Sequence, residues 1–142
     1  MILTLTIAVV SGCYLKEPCA RVIEIDENAS LCDLHLAIQR AVAFGNDHPY
    51  TFYAGRYPWH RKRWFANPEL DWYAQESVWA RTRLSRIYPL SGMKLYYWFD
   101  FGDQWLFEIR KSRKANMPDA AVTYPRVVAR EGPNPTQYPR WE

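Results

Sequence analysis

The sequence predicts a single α+β domain: an N-terminal β-hairpin with a helix packed across it, a third strand, a variable excursion and a C-terminal aromatic β-hairpin. Three observations carry this. Apolar residues alternate over Ile2–Val10 and again over 21–25, and aromatic-rich runs flank Phe101, Gly102 and Asp103. A single 3- and 4-residue apolar stripe falls over residues 31–42. The 142 residues leave no room for two full-sized domains. A chain of this size buries roughly two-thirds of its unfolded surface and needs no metal or disulfide to fold.

In the first strand Leu3, Leu5, Ile7 and Val9 share a face, against Thr4, Thr6 and Ala8. Ile23 and Ile25 mark one side of the second strand, and the short connection permits an antiparallel hairpin. Ser30 at the N-cap with Asp33 three residues later makes a weak capping box. Leu31, Leu34, Ile38, Ala41 and Val42 form the helix stripe, and Gly45 is the expected C-cap. A third strand is expected over Tyr50 to Ala54. Residues 55–66 have no clean period and read as a loop, and Asn67, Pro68, Glu69 and Asp71 have the chemistry of a helix start over about 68–80. One further turn is expected from Leu84 to Leu90.

In the aromatic hairpin a turn centred on Gly102 pairs Phe99 with Trp105, Tyr97 with Phe107 and Leu95 with Ile109, so that all six share one face. Gly102 is expected to supply a positive φ there. The opposite face carries Tyr96, Trp98, Leu106 and Glu108 and is apolar enough to require a partial cover. The tail over 116–142 is Pro-rich, with one short strand expected at Arg126 to Ala129. The order of elements resembles a β-grasp arrangement.

Composition excludes disorder: the formal charge is +3 and 49% of residues are hydrophobic. No run approaches the ~18 apolar residues of a membrane helix. Residues 2–10 lack the basic flank of a signal peptide. Cys13, Cys19 and Cys32 are odd in number and form no CxxC pair, which points to a reducing cytoplasm rather than a disulfide framework. The aromatic content is high, 16% with seven Trp and ten Tyr, so some rings are expected at the surface. Charge is uneven. Residues 1–50 carry 3 basic and 6 acidic side chains, residues 51–94 carry 8 and 3, and the remainder 7 and 6.

The basic middle supplies the candidate surface. Arg56, Arg61, Lys62 and Arg63 interleave with Trp59 and Trp64, and Arg81, Arg83 and Arg86 follow. Cations among planar rings suit phosphate pairing and base stacking. The alternative is a solvated face whose rings reach back into the core. Other motifs are weak. Asp100-Phe101-Gly102 copies a kinase triplet without the Gly-rich loop, strand Lys or HRD segment that a kinase needs. His35 and His48, with Asp100 or Asp103, match no metal-ligand spacing. Cys32 stands in a first helical turn, where a thiol pKa is lowered, but its apolar neighbours suit a packed side chain. No catalytic residue, metal or cofactor is expected.

Four blocks carry a resemblance. They are Ser30 to Gln39, then Asn46-Asp47-His48 leading to Phe52, then Tyr97 to Trp105 with Phe107-Glu108-Ile109, and finally Tyr124 to Val128 with Gly132 and Pro135-Thr136-Gln137-Tyr138-Pro139. Over nearly its whole length the chain resembles the plasmid pRiA4b open-reading-frame-three-like family of mobile-element proteins. The resemblance implies an α+β fold and carries over no catalytic residue. His35, His48, Asp100, Gly102, Asp103, Trp105 and Glu108 lie in its blocks and are read as structural. Residues 55–80 depart most from the family pattern. The expected function is a non-enzymatic module that engages a protein partner. The alternatives are nucleic-acid binding through residues 56–86 and a small metal-dependent enzyme.

Overall fold

Leu3, Leu5, Ile7 and Val9 of β1 (Ile2–Ser11) are all buried on one side of the strand, and the elements packed on the sheet cover that side. The computed structural model describes residues 1–65 and 79–139. β2 (Ala20–Asp26) returns antiparallel, with Leu5 opposite Ile23 and Leu3 opposite Ile25. Cross-strand partners share a face, so this pairing makes one apolar floor.

The helix α1 (Leu31–Val42) lies on that floor with Leu31, Leu34, Ile38, Ala41 and Val42 buried. Its start is as expected. The Ser30 hydroxyl accepts from the Asp33 N–H at 3.1 Å and the Asp33 carboxylate accepts from the Ser30 N–H at 2.9 Å. Its end is not. Ala43, at φ 58°, is the cap, two residues before Gly45. The left-handed turn at Ala43 sends Phe44 inward, where it packs edge-on against Trp105 and Phe107. A core contact, rather than the freedom of glycine, sets where the helix stops.

β3 (Tyr50–Gly55), β4 (Arg63–Trp64), β5 (Lys94–Phe99), β6 (Trp105–Lys111) and β7 (Arg126–Glu131) complete an antiparallel sheet in the order β4-β3-β5-β6-β1-β2-β7. The hairpin register is the expected one: Phe99 opposite Trp105, Tyr97 opposite Phe107, Leu95 opposite Ile109, all buried. The second face also has its cover. Tyr53, Tyr96 and Leu106 are fully buried there beneath Trp59 and Trp64, with Trp98 beside them.

Three expectations change. Residues 63–64, read as loop, pair with β3 as a two-residue edge strand. The tail strand runs on to Glu131 and seals the outer edge of β2. Residues 79–81 and 84–86 form short 3₁₀ turns, and most of the helix expected over 68–80 lies outside the described residues. Cys13, Cys19 and Cys32 are free thiols. Among the described residues no helix is long and apolar enough to cross a membrane.

The hairpin loop also corrects the sequence reading. Positive φ falls on Asp100 (58°) and Gln104 (55°), and Gly102 is not among the positive-φ residues. The Gln104 N–H donates to the Asp100 carbonyl at 2.7 Å, and the Asp103 N–H to Asp100 Oδ1 at 3.2 Å. Asp tolerates the left-handed conformation because its short carboxylate bonds the loop locally. A Cβ on Gly102 would meet only Asp100 Oδ1, at an ordinary 3.5 Å. Gly102→Val is therefore expected to shift stability by no more than about 0.5 kcal/mol. Urea denaturation midpoints of the two proteins check this, and a loss of several times that size would show that the loop depends on the glycine.

Candidate functional site

The basic loop is built on the second face of the sheet. After Gly55 the chain doubles back so closely that a Cβ there would overlap the His60 carbonyl. The Trp59 N–H donates to the Tyr53 hydroxyl at 3.0 Å, and the Trp59 ring meets Trp98 edge-on at 5.3 Å. Trp64, opposite Tyr53 in the β3–β4 pair, packs on it at 5.4 Å. Burial pushes the Tyr53 hydroxyl up to about 12, so it is a neutral anchor. The two Trp rings reach back to the sheet, leaving the charges outside.

Arg56, Arg61, Lys62 and Arg63 are all exposed, and among the described residues no carboxylate pairs with any of them. The Arg61 guanidinium lies 5.9 Å from the Trp64 ring centre and that of Arg63 5.1 Å from Phe65. Tyr57 is 60% exposed and stacks on His60 at 4.6 Å. Among the described residues the result is four cations without a carboxylate partner and one exposed ring, set on an aromatic base.

Arg81, Arg83 and Arg86 are exposed on a different support, the turns beside the start of α1. There the Leu31 N–H donates to the Thr82 carbonyl and the Leu84 N–H to the Ala29 carbonyl. The stretch between the two clusters, with Glu69, Asp71 and Glu76, lies outside the described residues.

The motif residues form two polar networks. His35 is buried, stacked on Tyr50 at 3.7 Å, with both ring nitrogens engaged. Gln39 Nε2 donates to the Tyr97 hydroxyl at 2.9 Å, and toward a neutral imidazole protonated on Nε2 that hydroxyl donates to His35 Nδ1. His35 Nε2 donates to Asn46 Oδ1 at 2.6 Å. With Nε2 donating and Nδ1 accepting, the neutral imidazole keeps no lone pair for a metal. Beside it a polar latch holds the tail. Gln137 accepts from the Gly45 N–H at 2.8 Å and donates to Asp47 at 3.0 Å. The Tyr138 hydroxyl donates to Asp47 Oδ2 at 2.8 Å and accepts from His48 Nε2 at 2.6 Å. His48 Nε2 also stands 3.4 Å from Asp100 Oδ2. The Tyr138 and Gln137 bonds hold the Asp47 carboxyl below the usual range, while partial burial beside Asp47 pushes Tyr138 up to about 12. Asp103 is raised by burial and by Asp100.

Trp105 is core. Glu108 is buried on the second face, where it accepts from Tyr96 at 2.9 Å and Arg110 at 2.8 Å and pairs with Lys94 at 3.7 Å. Against the burial that would raise it, these bonds keep its carboxyl below the usual range. Among the described residues no group of three His, Cys, Asp or Glu is arranged to hold a metal.

Arg21 is the residue that sequence reasoning missed. It is 2% exposed and bonds the carbonyls of Ala20, Ala41, Glu131 and Gly132 and the side chain of Asn134. The signal was its parity: Arg21 falls on the inward side with Ile23 and Ile25.

Burial lowers the His35 pKa to about 4 from 6.5. The unfolded chain therefore takes up the proton first. Stability from this residue is complete above pH 6.5 and is lost as pH falls toward 4. The slope approaches ~1.4 kcal/mol per pH unit, for a total of about 3 kcal/mol. Denaturation of the wild type and His35→Gln across that window checks this, and parallel curves would refute it.

No curated protein matches the chain. The crystal structure of a protein of unknown function, MM3350 from Methanosarcina mazei Go1, matches with a TM-score of 0.70 at 22% identity, covering 94% of this chain and 70% of that one. That likeness supports the sheet-and-helix fold alone. The family model described as plasmid pRiA4b ORF-3-like protein matches residues 3–137, which include the capped helix, the aromatic hairpin and the Gln137 end of the latch, and the chain belongs to that family.

Proposed function

We propose that the chain is a non-enzymatic binding module of its family that engages an acidic surface on a protein partner through the loop 56–63. The observation that carries this reading is the set of four exposed cations, Arg56, Arg61, Lys62 and Arg63, without a carboxylate partner among the described residues. Uncompensated charge on a fixed base steers an oppositely charged partner and sets its orientation. A loop held by Trp59 and Trp64 loses little freedom when it docks, which favours affinity. An adaptor or an inhibitor of a host system fits such a module. The hairpin–helix core is read as β-grasp-like, a scaffold that carries no activity of its own.

Nucleic-acid binding is the second reading, favoured by the exposed Tyr57 ring stacked on His60 beside the cations. Protein docking ranks above it because Trp59 and Trp64 are turned inward, leaving one open ring among the described residues of the loop where a bound strand needs a series.

The test compares wild type with the Arg61→Ala, Lys62→Ala, Arg63→Ala triple variant. These side chains are exposed, so the variant is expected to fold normally. Cross-linked pull-downs from the host are expected to recover a specific acidic protein with wild type and to lose it with the variant, and purified-partner affinity is expected to fall with salt. Recovery that the variant does not change would overturn the assignment of the loop. Random duplex bound with a log–log salt slope of roughly −3 to −4 would instead establish the nucleic-acid reading.

A further inference from the structure

β7 ends the sheet. It pairs with β2 on one side and, among the described residues, with no strand on the other. Between it and α1 runs a groove of two adjoining hollows, about 280 and 220 Å³, which share Arg40 and Pro125. Its apolar lining comes from Ile23, Ile25, Ala37 and Val127.

The groove is electrically polarised. At one end Asp26 and Asp33 are already committed, Asp26 to the Asn28 N–H and Asp33 to the helix cap. At the other end the guanidinium groups are in excess. Arg126 is matched by Glu24 at 2.6 Å. Arg21 is satisfied by neutral oxygens, and it shares the Ala41 carbonyl with Arg130. Arg40 and Arg130 are exposed, and among the described residues neither has a carboxylate partner.

An open strand edge beside an apolar groove and a helix is the geometry of strand addition: main-chain bonds supply affinity and alternate side chains enter the groove. The excess of guanidinium groups selects for carboxylates. We propose that this groove binds an extended acidic peptide segment of a partner protein. The segment adds as a strand outside β7, its apolar side chains against Ile23 and Val127 and a carboxylate between Arg40 and Arg130. This surface is distinct from the loop 56–63, since β4 and β7 are the opposite edges of the sheet.

A phage-displayed library of short random peptides selected on the immobilised full chain tests this. Enriched peptides are expected to carry acidic residues and, when added as synthetic peptides, to slow hydrogen exchange of backbone amides within 126–131. Among the described residues Arg40 has no side-chain bond, so Arg40→Glu changes charge without removing a fold contact. It is expected to weaken binding by at least roughly tenfold. The Arg61→Ala, Lys62→Ala, Arg63→Ala variant is expected to bind these peptides as wild type does, which separates failure of this site from failure of the loop. No enrichment, unchanged exchange within 126–131, or indifference to Arg40→Glu would each overturn the proposal. So would protection that grows with protein concentration alone, because a second copy would then occupy the edge.

Discussion

The strand β5 has no side that can face water. Tyr97 and Phe99 fill one face of the sheet and Tyr96 the other, and all three are fully buried. A strand of this kind must be covered twice. The helix α1 supplies one cover and the loop after β3 supplies the other. The second cover explains why a loop with so many positive charges also contains two Trp residues. Its rings serve the sheet, and its charges are what remain outside.

The same demand explains where polar groups are admitted. Tyr97 brings a hydroxyl into the core, where it bonds His35 and Gln39, and Asn46 in turn takes the far nitrogen of His35. A buried network of this kind is favourable only when complete. Glu108 solves the equivalent problem on the second face with Tyr96, Arg110 and Lys94. The Tyr97 network joins α1 to β5 across some sixty positions and so also fixes how helix and sheet pack, whereas the Glu108 network stays within the β5–β6 hairpin.

What was legible in the sequence was whatever a local rule determines. The register of the aromatic hairpin followed from the need to bury one face, and the Ser30–Asp33 cap followed from spacing. What was not legible was decided by contacts between distant segments. Ala43 rather than Gly45 ends the helix because Phe44 has a place in the core. Asp100 rather than Gly102 takes the left-handed conformation because its carboxylate bonds the loop. The short edge strand at Arg63–Trp64 has no periodic signal in two residues; only the position of Tyr53 creates it. Of the candidate site, the cations were readable as a charge run, but that Trp59 and Trp64 face inward depends on Tyr53, Tyr96 and Trp98.

The bonds of Arg21 have a consequence for the order in which the chain acquires structure. Its guanidinium holds Glu131, Gly132 and Asn134, more than a hundred positions along the chain. β1, likewise, has β6 as one of its two neighbours, so it lacks half its pairing until β6 has emerged. Folding dominated by such distant closures is slow. During synthesis the hairpin of β1 and β2 waits with both outer edges bare and a buried-type arginine still in water. A nascent chain in that state presents unpaired strand edges to whatever is near, so the interval between translation of residue 26 and residue 131 is when this protein is most exposed to aggregation.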